Sequence, residues 1–163
     1  LRDRARELAA PAPPALPQGL RGTLRPYQRE GFHFLSHLAS LGLGGVLADD
    51  MGLGKTIQTL AWLQHLAEES APGTPPLRAL VVCPKSVMHG WLVETARFTP
   101  GLRAVAFDPA APGRPEEKAG PGLVIANYAQ LRLRADARPV HRLEVQADRL
   151  DAVAMAACAV LLD

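Results

Sequence analysis

A chain of 163 residues with 48% hydrophobic and 21% charged residues is typical of about one soluble globular domain, which excludes disorder throughout. Its formal net charge of +2 is too small to indicate a nucleic-acid partner by itself. No apolar run approaches the roughly 20 residues that cross a bilayer, so we expect an intracellular protein with no membrane partner.

The N-terminal region is rich in proline and alanine. Residues 9–22 read AAPAPPALPQGLRG, a composition that favours an extended, poorly packed linker over a regular element. The folded part should begin near Leu24. We therefore predict a Pro/Ala-rich linker over residues 1–22 and a single domain over residues 23–163.

A helix should open the folded part. Pro26 suits the first turn of a helix, where its missing N–H costs nothing. The residues Phe34, Leu38 and Leu41 recur along one face, which is typical of a helix. The sequence LGLGG at 41–45 should end the helix, since glycine readily takes the backbone angles found after a helix.

Short apolar runs then alternate with helical patterns. We predict buried strands at GVLA 45–48, ALVVC 79–83, RAVAF 103–107, LVIA 123–126 and CAVLL 158–162. We predict helices at 56–69 and 86–98, and a further one at 142–157. Alternating strands and helices indicate an α/β fold in which a parallel sheet carries helices on both faces.

The sequence DDMGLGKT at 49–56 has the order of a nucleotide-phosphate loop: buried strand, glycine loop, then a helix from about Lys55. Gly52 and Gly54 allow main-chain N–H groups to approach anionic oxygens at a helix N-terminus. Lys55 would lie between the β- and γ-phosphates, and the Thr56 hydroxyl would bind Mg²⁺. The loop therefore predicts ATP and Mg²⁺ as cofactors.

Asp49 occupies the position of the first glycine in the usual motif. A carboxylate beside a triphosphate would be repelled, so its side chain should turn away. Aspartates often bind nearby main-chain amides in turns. We therefore expect Asp49, Asp50 or both to brace the loop in this way.

The residues around this loop narrow the assignment. LRPYQREG at 24–31, followed by VLADDMGLGKTIQTLA at 46–61, resembles the Swi/Snf-type ATPases, which are helicase-related DNA translocases of superfamily two. The resemblance implies the N-terminal part of a first RecA-like lobe, with adenine recognition by Gln28. The nucleotide-binding residues it implies are Arg25, Gln28, Asp49, Asp50, Met51, Gly52, Leu53, Gly54, Lys55 and Thr56.

The sequence LVVCPKSVMHGWLVETARF at 80–98 is similar to a motif at which members of this family contact the DNA backbone. That similarity implies DNA contacts at Lys85 and Ser86, because phosphate oxygens accept hydrogen bonds from cations, hydroxyls and helix N-termini. Trp91 could be a base-stacking platform, but we favour core packing for it. The resemblance thus implies double-stranded DNA as a partner of the full-length protein.

The sequence LVIANYAQLR at 123–132 resembles a further DNA-facing motif, which implies a contact at Asn127. Relatives usually carry threonine or serine where this chain has Ala126 and Asn127. Arg132 and Arg134 could supply positive charge instead, and a solvated basic face is the alternative for those two side chains.

The chain ends in CAVLLD, whose terminal Asp163 is similar to the first acid of the family's Asp-Glu motif. The resemblance implies that Asp163 binds Mg²⁺ with Thr56 and shares catalysis with Lys55, while a following glutamate orients the attacking water. The similarity covers roughly residues 20–132 and includes no second RecA-like lobe of the polypeptide. We therefore expect a truncated lobe that hydrolyses ATP poorly alone.

The resulting prediction is the ATP-binding part of a DNA-dependent, Swi/Snf-type ATPase and translocase. One alternative is a catalytically inactive nucleotide- or DNA-binding regulatory module, and others are a small kinase with a phosphate loop or an RNA helicase. The alanine- and arginine-rich composition favours a bacterial, nucleoid-associated cytoplasmic protein, or a nuclear one if the source is eukaryotic.

Overall fold

The computed structural model describes residues 13–50, 52–74, 76–108 and 122–130, together with the main chain of 156–157. Its helices are α1 (Pro26–Ser40), α2 (Lys55–Glu69), a 3₁₀ helix (Lys85–Val87) and α3 (Met88–Phe98). Its strands are β1 (Arg78–Val82), β2 (Arg103–Ala106), β3 (Gly122–Ala126) and β4 (Ala156–Ala157). Within these ranges no helix is long and apolar enough to cross a membrane.

The strands form one parallel sheet in the order β2-β3-β1-β4. In the central pair, Arg78 lies opposite Gly122 and Val82 opposite Ala126. Alternate side chains of these strands, such as Val81 and Ile125, are fully buried. The predicted α/β class, a parallel sheet flanked by helices, is confirmed, as are the strands predicted at 79–83, 103–107 and 123–126.

Helix α2 lies at the centre of the core. It packs against both α1 and α3, and α3 packs against β2 and β3. Leu60 and Leu63 of α2 are fully buried, as is Phe32 of α1. Trp91 of α3 is only 4% exposed, so the prediction that it belongs to the core is confirmed.

Helix α1 ends as the glycine-rich sequence predicted. Gly42 takes a left-handed conformation with φ of 65°, and its main-chain N–H donates to the Ala39 carbonyl. The next N–H, that of Leu43, donates to the carbonyl of Leu38 at 2.9 Å. These two bonds form a Schellman motif, which satisfies carbonyls that the last helical turn leaves without partners.

The helix predicted from Pro26 is confirmed, but its recurring apolar residues do not form the face that packs into the core. Phe34 is 42% exposed, whereas the buried residues of the helix are Gln28, Gly31, Phe32 and Ser36. Phe34 and Leu38 instead lie against Gly45, where an added Cβ would overlap Leu38 and approach the Phe34 ring at 3.5 Å. The apolar pattern marked contact with the following segment and not with the core.

The strand predicted at 45–48 is also absent, and Val46 is 69% exposed. A single extended segment cannot satisfy its main-chain groups without a paired neighbour. The described residues provide no strand beside it, so the segment is irregular.

The last predicted elements lie largely outside the described residues. The strand expected at 158–162 lies outside them, as does most of the helix expected at 142–157. The two described residues of that helix, Ala156 and Ala157, pair as β4 with Val81 and Val82, so the prediction is wrong there. Main-chain hydrogen bonding with the neighbouring strand β1 places these two residues in the sheet.

The described part of the predicted linker, residues 13–22, is packed and not free. Leu16 and Leu20 pack against the core, and the Arg21 main-chain N–H donates to the Phe98 carbonyl at 2.6 Å. The expectation of a poorly packed segment is therefore wrong for these residues, because two leucines in the Pro-rich sequence find an apolar surface. The domain boundary after residue 22 stays a prediction.

The carboxylate of Glu68 on α2 anchors this segment. It accepts main-chain N–H bonds from Gln18 at 2.8 Å and from Gly19 at 2.7 Å. Burial by itself would raise the pKa of Glu68, but these bonds and one from the Gln64 amide outweigh it, so the pKa is lowered. The segment therefore attaches to the domain through the ionised form of this side chain.

Candidate nucleotide-binding site

The glycine loop before α2 has the backbone that its sequence predicts. Gly52 and Gly54 have φ of 83° and 76°, and Gly54 is the N-cap of α2. Residues with a Cβ rarely adopt such angles. The loop is closed by the Leu53 N–H, which donates to the Asp50 carbonyl at 3.4 Å. The helix N-terminus and its main-chain N–H groups thus form a place for an anion.

Lys55, the first residue of α2, is held against this loop. Its ammonium group donates to the main-chain oxygens of Asp49 at 2.6 Å and of Asp50 at 2.9 Å. Its hydrogen-bond acceptors are therefore carbonyls and not the two neighbouring carboxylates. Among the described residues no ion pair neutralises this positive charge, which is fixed at the loop.

The carboxylate of Asp49 turns towards α2. Its Oδ2 atom accepts a hydrogen bond of 2.9 Å from the side-chain amide of Gln58, which is fully buried. Our hypothesis of bracing through nearby main-chain amides is wrong for Asp49, because its partner is a side chain on the following helix. Asp50 accepts hydrogen bonds from Lys55 and from the Leu53 N–H through its main-chain oxygen.

Gln58 is a residue that the sequence analysis missed. Its signal is a polar side chain in the apolar run of α2, on a turn that carries Leu60, Ala61 and Leu63 in the core. Such a residue in a buried helix requires a polar partner. The partner could not be identified from spacing alone, since Asp49 lies in a loop.

Gln28 of α1 connects the helix start to the loop. Its Oε1 atom accepts from the Arg25 N–H at 2.9 Å, and its Nε2 donates to the Leu53 carbonyl at 3.0 Å. Glycine is required at position 54 for this approach, because a Cβ there would lie 2.6 Å from Nε2. A side-chain amide has two N–H donors and two acceptor lone pairs, so one of each remains.

The remaining predicted nucleotide residues are only partly described. Thr56 is the second residue of α2 and is half-buried. Arg25, the N-cap of α1, is exposed. Met51 and Asp163 lie outside the described residues. Within the ranges that are described, no cluster of His, Cys, Asp and Glu could hold a metal ion.

The residues predicted to contact DNA lie together at the carboxyl ends of β1 and β3. Lys85 and Ser86 are exposed in the 3₁₀ helix that follows β1, and Asn127 directly follows β3. Strands β1 and β3 stay paired up to this edge of the sheet, where the Cys83 N–H donates to the Ala126 carbonyl at 2.9 Å. Ligands of parallel α/β sheets commonly bind at this edge.

Asn127 has a local structural role. Its Oδ1 accepts from the Gln130 N–H at 3.0 Å, and the Gln130 Oε1 accepts from the Asn127 N–H at 3.0 Å. This reciprocal pair is a capping box at the start of a helical turn. The Gln130 amide also donates to the Phe107 carbonyl at 2.9 Å, which ties the turn to the end of β2.

Several known proteins are similar to this chain. Helicase SWR1 of Debaryomyces hansenii is 45% identical over 104 residues, which are 64% of this chain and 6% of the relative. The chromatin-remodeling ATPase INO80 of Arabidopsis thaliana is 46% identical over 91 residues, again 6% of its length. The chain thus spans a small part of the curated relatives that it matches.

Solved structures agree with this similarity. The Sulfolobus solfataricus SWI2/SNF2 ATPase core domain is 37% identical and superposes with a TM-score of 0.62 over 72% of this chain and 23% of that one. The same core in complex with dsDNA gives a TM-score of 0.56, with 72% and 24% covered. The predicted RecA-like fold is confirmed by this likeness.

The family assignment follows from the match over most of the chain. The model of the SNF2-related domain matches residues 27–150, a range that contains the glycine loop, α2 and strands β1 to β3. The resemblance that the sequence analysis noted in the loop and in the segment after β1 is therefore confirmed, and this chain belongs to the SNF2-related domain family.

Proposed function

We propose that this chain is the ATP-binding part of the first RecA-like lobe of a DNA-stimulated ATPase that translocates on double-stranded DNA. The observation that carries the proposal is the glycine loop at the start of α2, with the charged Lys55 held against it. The names of the relatives, a helicase and a chromatin-remodeling ATPase, support the same activity.

We propose that the site binds ATP with Mg²⁺. The loop glycine Gly52 has open space on the side where a Cβ would point, so a phosphate can approach the main chain closely. Lys55 would bind the β- and γ-phosphates with its remaining N–H, and Thr56 would hold Mg²⁺ together with Asp163. When bound, Mg²⁺ would neutralise charge that develops on the phosphates. Gln28 would use its free donor and acceptor for the adenine edge.

We propose that double-stranded DNA binds along the carboxyl ends of β1 and β3. Lys85 and Ser86 are exposed there, and a cation and a hydroxyl suit phosphate oxygens. The likeness to a core solved in complex with dsDNA supports this partner. Asn127 would assist chiefly by capping the neighbouring turn, since both ends of its side chain have local partners.

The complete polypeptide would need a second RecA-like lobe, whose arginines would close the site on the γ-phosphate. The chain alone is therefore expected to hydrolyse ATP poorly. The organisms of the SWR1 and INO80 relatives support a nuclear location if the source is eukaryotic, and they give no support to the bacterial location that composition first suggested.

The test compares the chain's two described lysines in the complete polypeptide. Lys55→Ala should weaken ATP binding about tenfold to a hundredfold, because a charge-assisted bond contributes about 1.5–3 kcal/mol. Lys85→Ala should leave ATP affinity unchanged and reduce the stimulation of hydrolysis by double-stranded DNA. Calorimetric titration with ATP and a steady-state hydrolysis assay measure the two effects.

Different results would point elsewhere. Unchanged ATP affinity in Lys55→Ala would remove the phosphate role. Normal ATP binding without DNA-stimulated hydrolysis in the complete polypeptide would favour the regulatory module over the translocase.

A further inference from the structure

We propose that Gln58 is a positioning residue for the nucleotide site, holding the Asp49 carboxylate away from the phosphates. This inference rests on the proposed ATP binding. Gln58 itself would not touch ATP. It would act through Asp49, which takes the place of a glycine in the usual phosphate loop.

The hydrogen bond between Gln58 and Asp49 is shielded from solvent at its Gln58 end. Gln58 is fully buried, and its Nε2 lies 2.9 Å from the Asp49 Oδ2. A hydrogen bond to a charged group is stronger than a neutral one, and water cannot readily replace a donor at a buried site. The carboxylate therefore has a specific reason to point at α2.

The orientation of the Gln58 amide is fixed by Asp49 and not by the other end of the amide. The Gln58 Oε1 is buried and has no hydrogen-bond partner within the described residues. Turning the amide over would place this oxygen against a carboxylate and would leave the NH₂ group buried and unpaired. The acceptor of Asp49 therefore determines which way Gln58 lies, at the cost of one unsatisfied oxygen.

Gly31 of α1 makes room for this arrangement. A Cβ at this position would overlap Oε1 of Gln58 and would lie 3.0 Å from its Cδ and 3.3 Å from Cδ1 of Leu47. Only a residue without a side chain lets α1 approach the buried amide so closely. Helix α1, through Gly31, thus helps to press Gln58 towards Asp49.

Asp49 is in contact with both Gln58 and Lys55, which makes its position important for the loop. Its side chain binds Gln58, and its main-chain oxygen accepts from the Lys55 ammonium at 2.6 Å. A carboxylate released from Gln58 could turn towards the anion site, where it would repel the triphosphate. Its movement would also disturb the carbonyl that holds the lysine.

A double-mutant cycle in the complete polypeptide separates this role from simple packing. Gln58→Leu removes the donor at similar volume and should raise the Kd for ATP about tenfold, the lower end expected for a bond to a charged group. Asp49→Asn removes the negative charge and keeps an oxygen that can accept from Gln58. In the Asp49→Asn background, Gln58→Leu should raise the Kd less than about threefold.

The outcomes distinguish the possibilities. An equal loss of affinity in both backgrounds, or no loss in either, would overturn the positioning role of Gln58. If wild-type protein binds ATP and Lys55→Ala weakens it while Gln58→Leu does not, this inference alone fails. If wild-type protein does not bind ATP, the proposed function fails and this inference fails with it.

A second pair covers the case in which Gln58→Leu does not fold. Gln58→Glu places two carboxylates together and should weaken ATP binding more than tenfold at pH 8. Combining it with Asp49→Asn reverses donor and acceptor, since the asparagine NH₂ can donate to the new glutamate. That double variant should bind ATP within about threefold of wild type, and failure of this rescue would contradict the proposal.

Discussion

Substituting Gly31 with alanine is a sharp test of the packing around Gln58. In an open helix, Gly→Ala would stabilise by up to about 1 kcal/mol. Here the added Cβ would overlap Oε1 of Gln58, and that side chain is fully buried and cannot move into solvent. Overpacking of this kind costs about 1–3 kcal/mol, which leaves a net loss of up to about 2 kcal/mol.

Hydrogen–deuterium exchange of α2 peptides in the complete polypeptide measures this loss locally. A net loss of about 1 kcal/mol corresponds to roughly fivefold faster exchange. Gly90→Ala in α3 is the matched control, because nothing lies within 4 Å of a Cβ there. The control should exchange no faster than wild type. Exchange in Gly31→Ala that is as slow as in the control would refute the packing argument.

Substitutions at three further positions should be followed by the ratio of variant to wild-type exchange rates, with both proteins measured at the same pH. Glu68→Gln should speed exchange of residues 13–22 at pH 7. The ratio of exchange rates should approach one as the pH falls below 4.5 through the lowered pKa of Glu68, since protonation weakens the same bonds in wild type. A ratio of exchange rates that does not change with pH would contradict the proposal that the ionised Glu68 anchors this segment. Asn127→Ala should lose about 1 kcal/mol of helix capping next to Gln130, whereas Asn127→Ser should keep it; equal losses would exclude the cap. Burial raises the pKa of Glu94 despite nearby Arg97, so the folded state binds this proton more tightly and stability falls as pH rises through about 4.5 and above. Glu94→Gln should therefore protect α3 at pH 7 as well as wild type does or slightly better, by less than about 1 kcal/mol because the group is only half-buried and solvent screens it. Faster exchange in this variant would contradict the raised pKa.

The elements predicted from sequence with success are those in which local pattern and burial agree. Helix α2 begins at Lys55 because the glycine before it takes a left-handed conformation, and its apolar residues enter the core. The central strands are short apolar runs that find parallel partners. The order of motifs in the chain also predicted the family correctly.

The failures arise where tertiary partners decide the outcome. The apolar run at 45–48 reads as a strand, but strand formation depends on a neighbour that local sequence does not specify. Phe34 and Leu38 show helical periodicity, yet periodicity does not tell whether their partner is the core or an adjacent loop. Gln58 was missed for the same reason, since its role depends on a hydrogen bond to Asp49 that the sequence does not specify.

The two hydrogen bonds from Lys55 to the loop carbonyls affect the entropy of anion binding. A free lysine side chain carries about 2 kcal/mol of rotamer entropy, which a ligand must normally overcome when it orders the chain. Two carbonyls already restrict Lys55, so most of that disorder is lost when the domain folds. The ammonium has three N–H donors, so the two bonds to carbonyls among the described residues leave one donor for an arriving anion. Folding thus prepares the charge, and binding needs little further ordering of this residue.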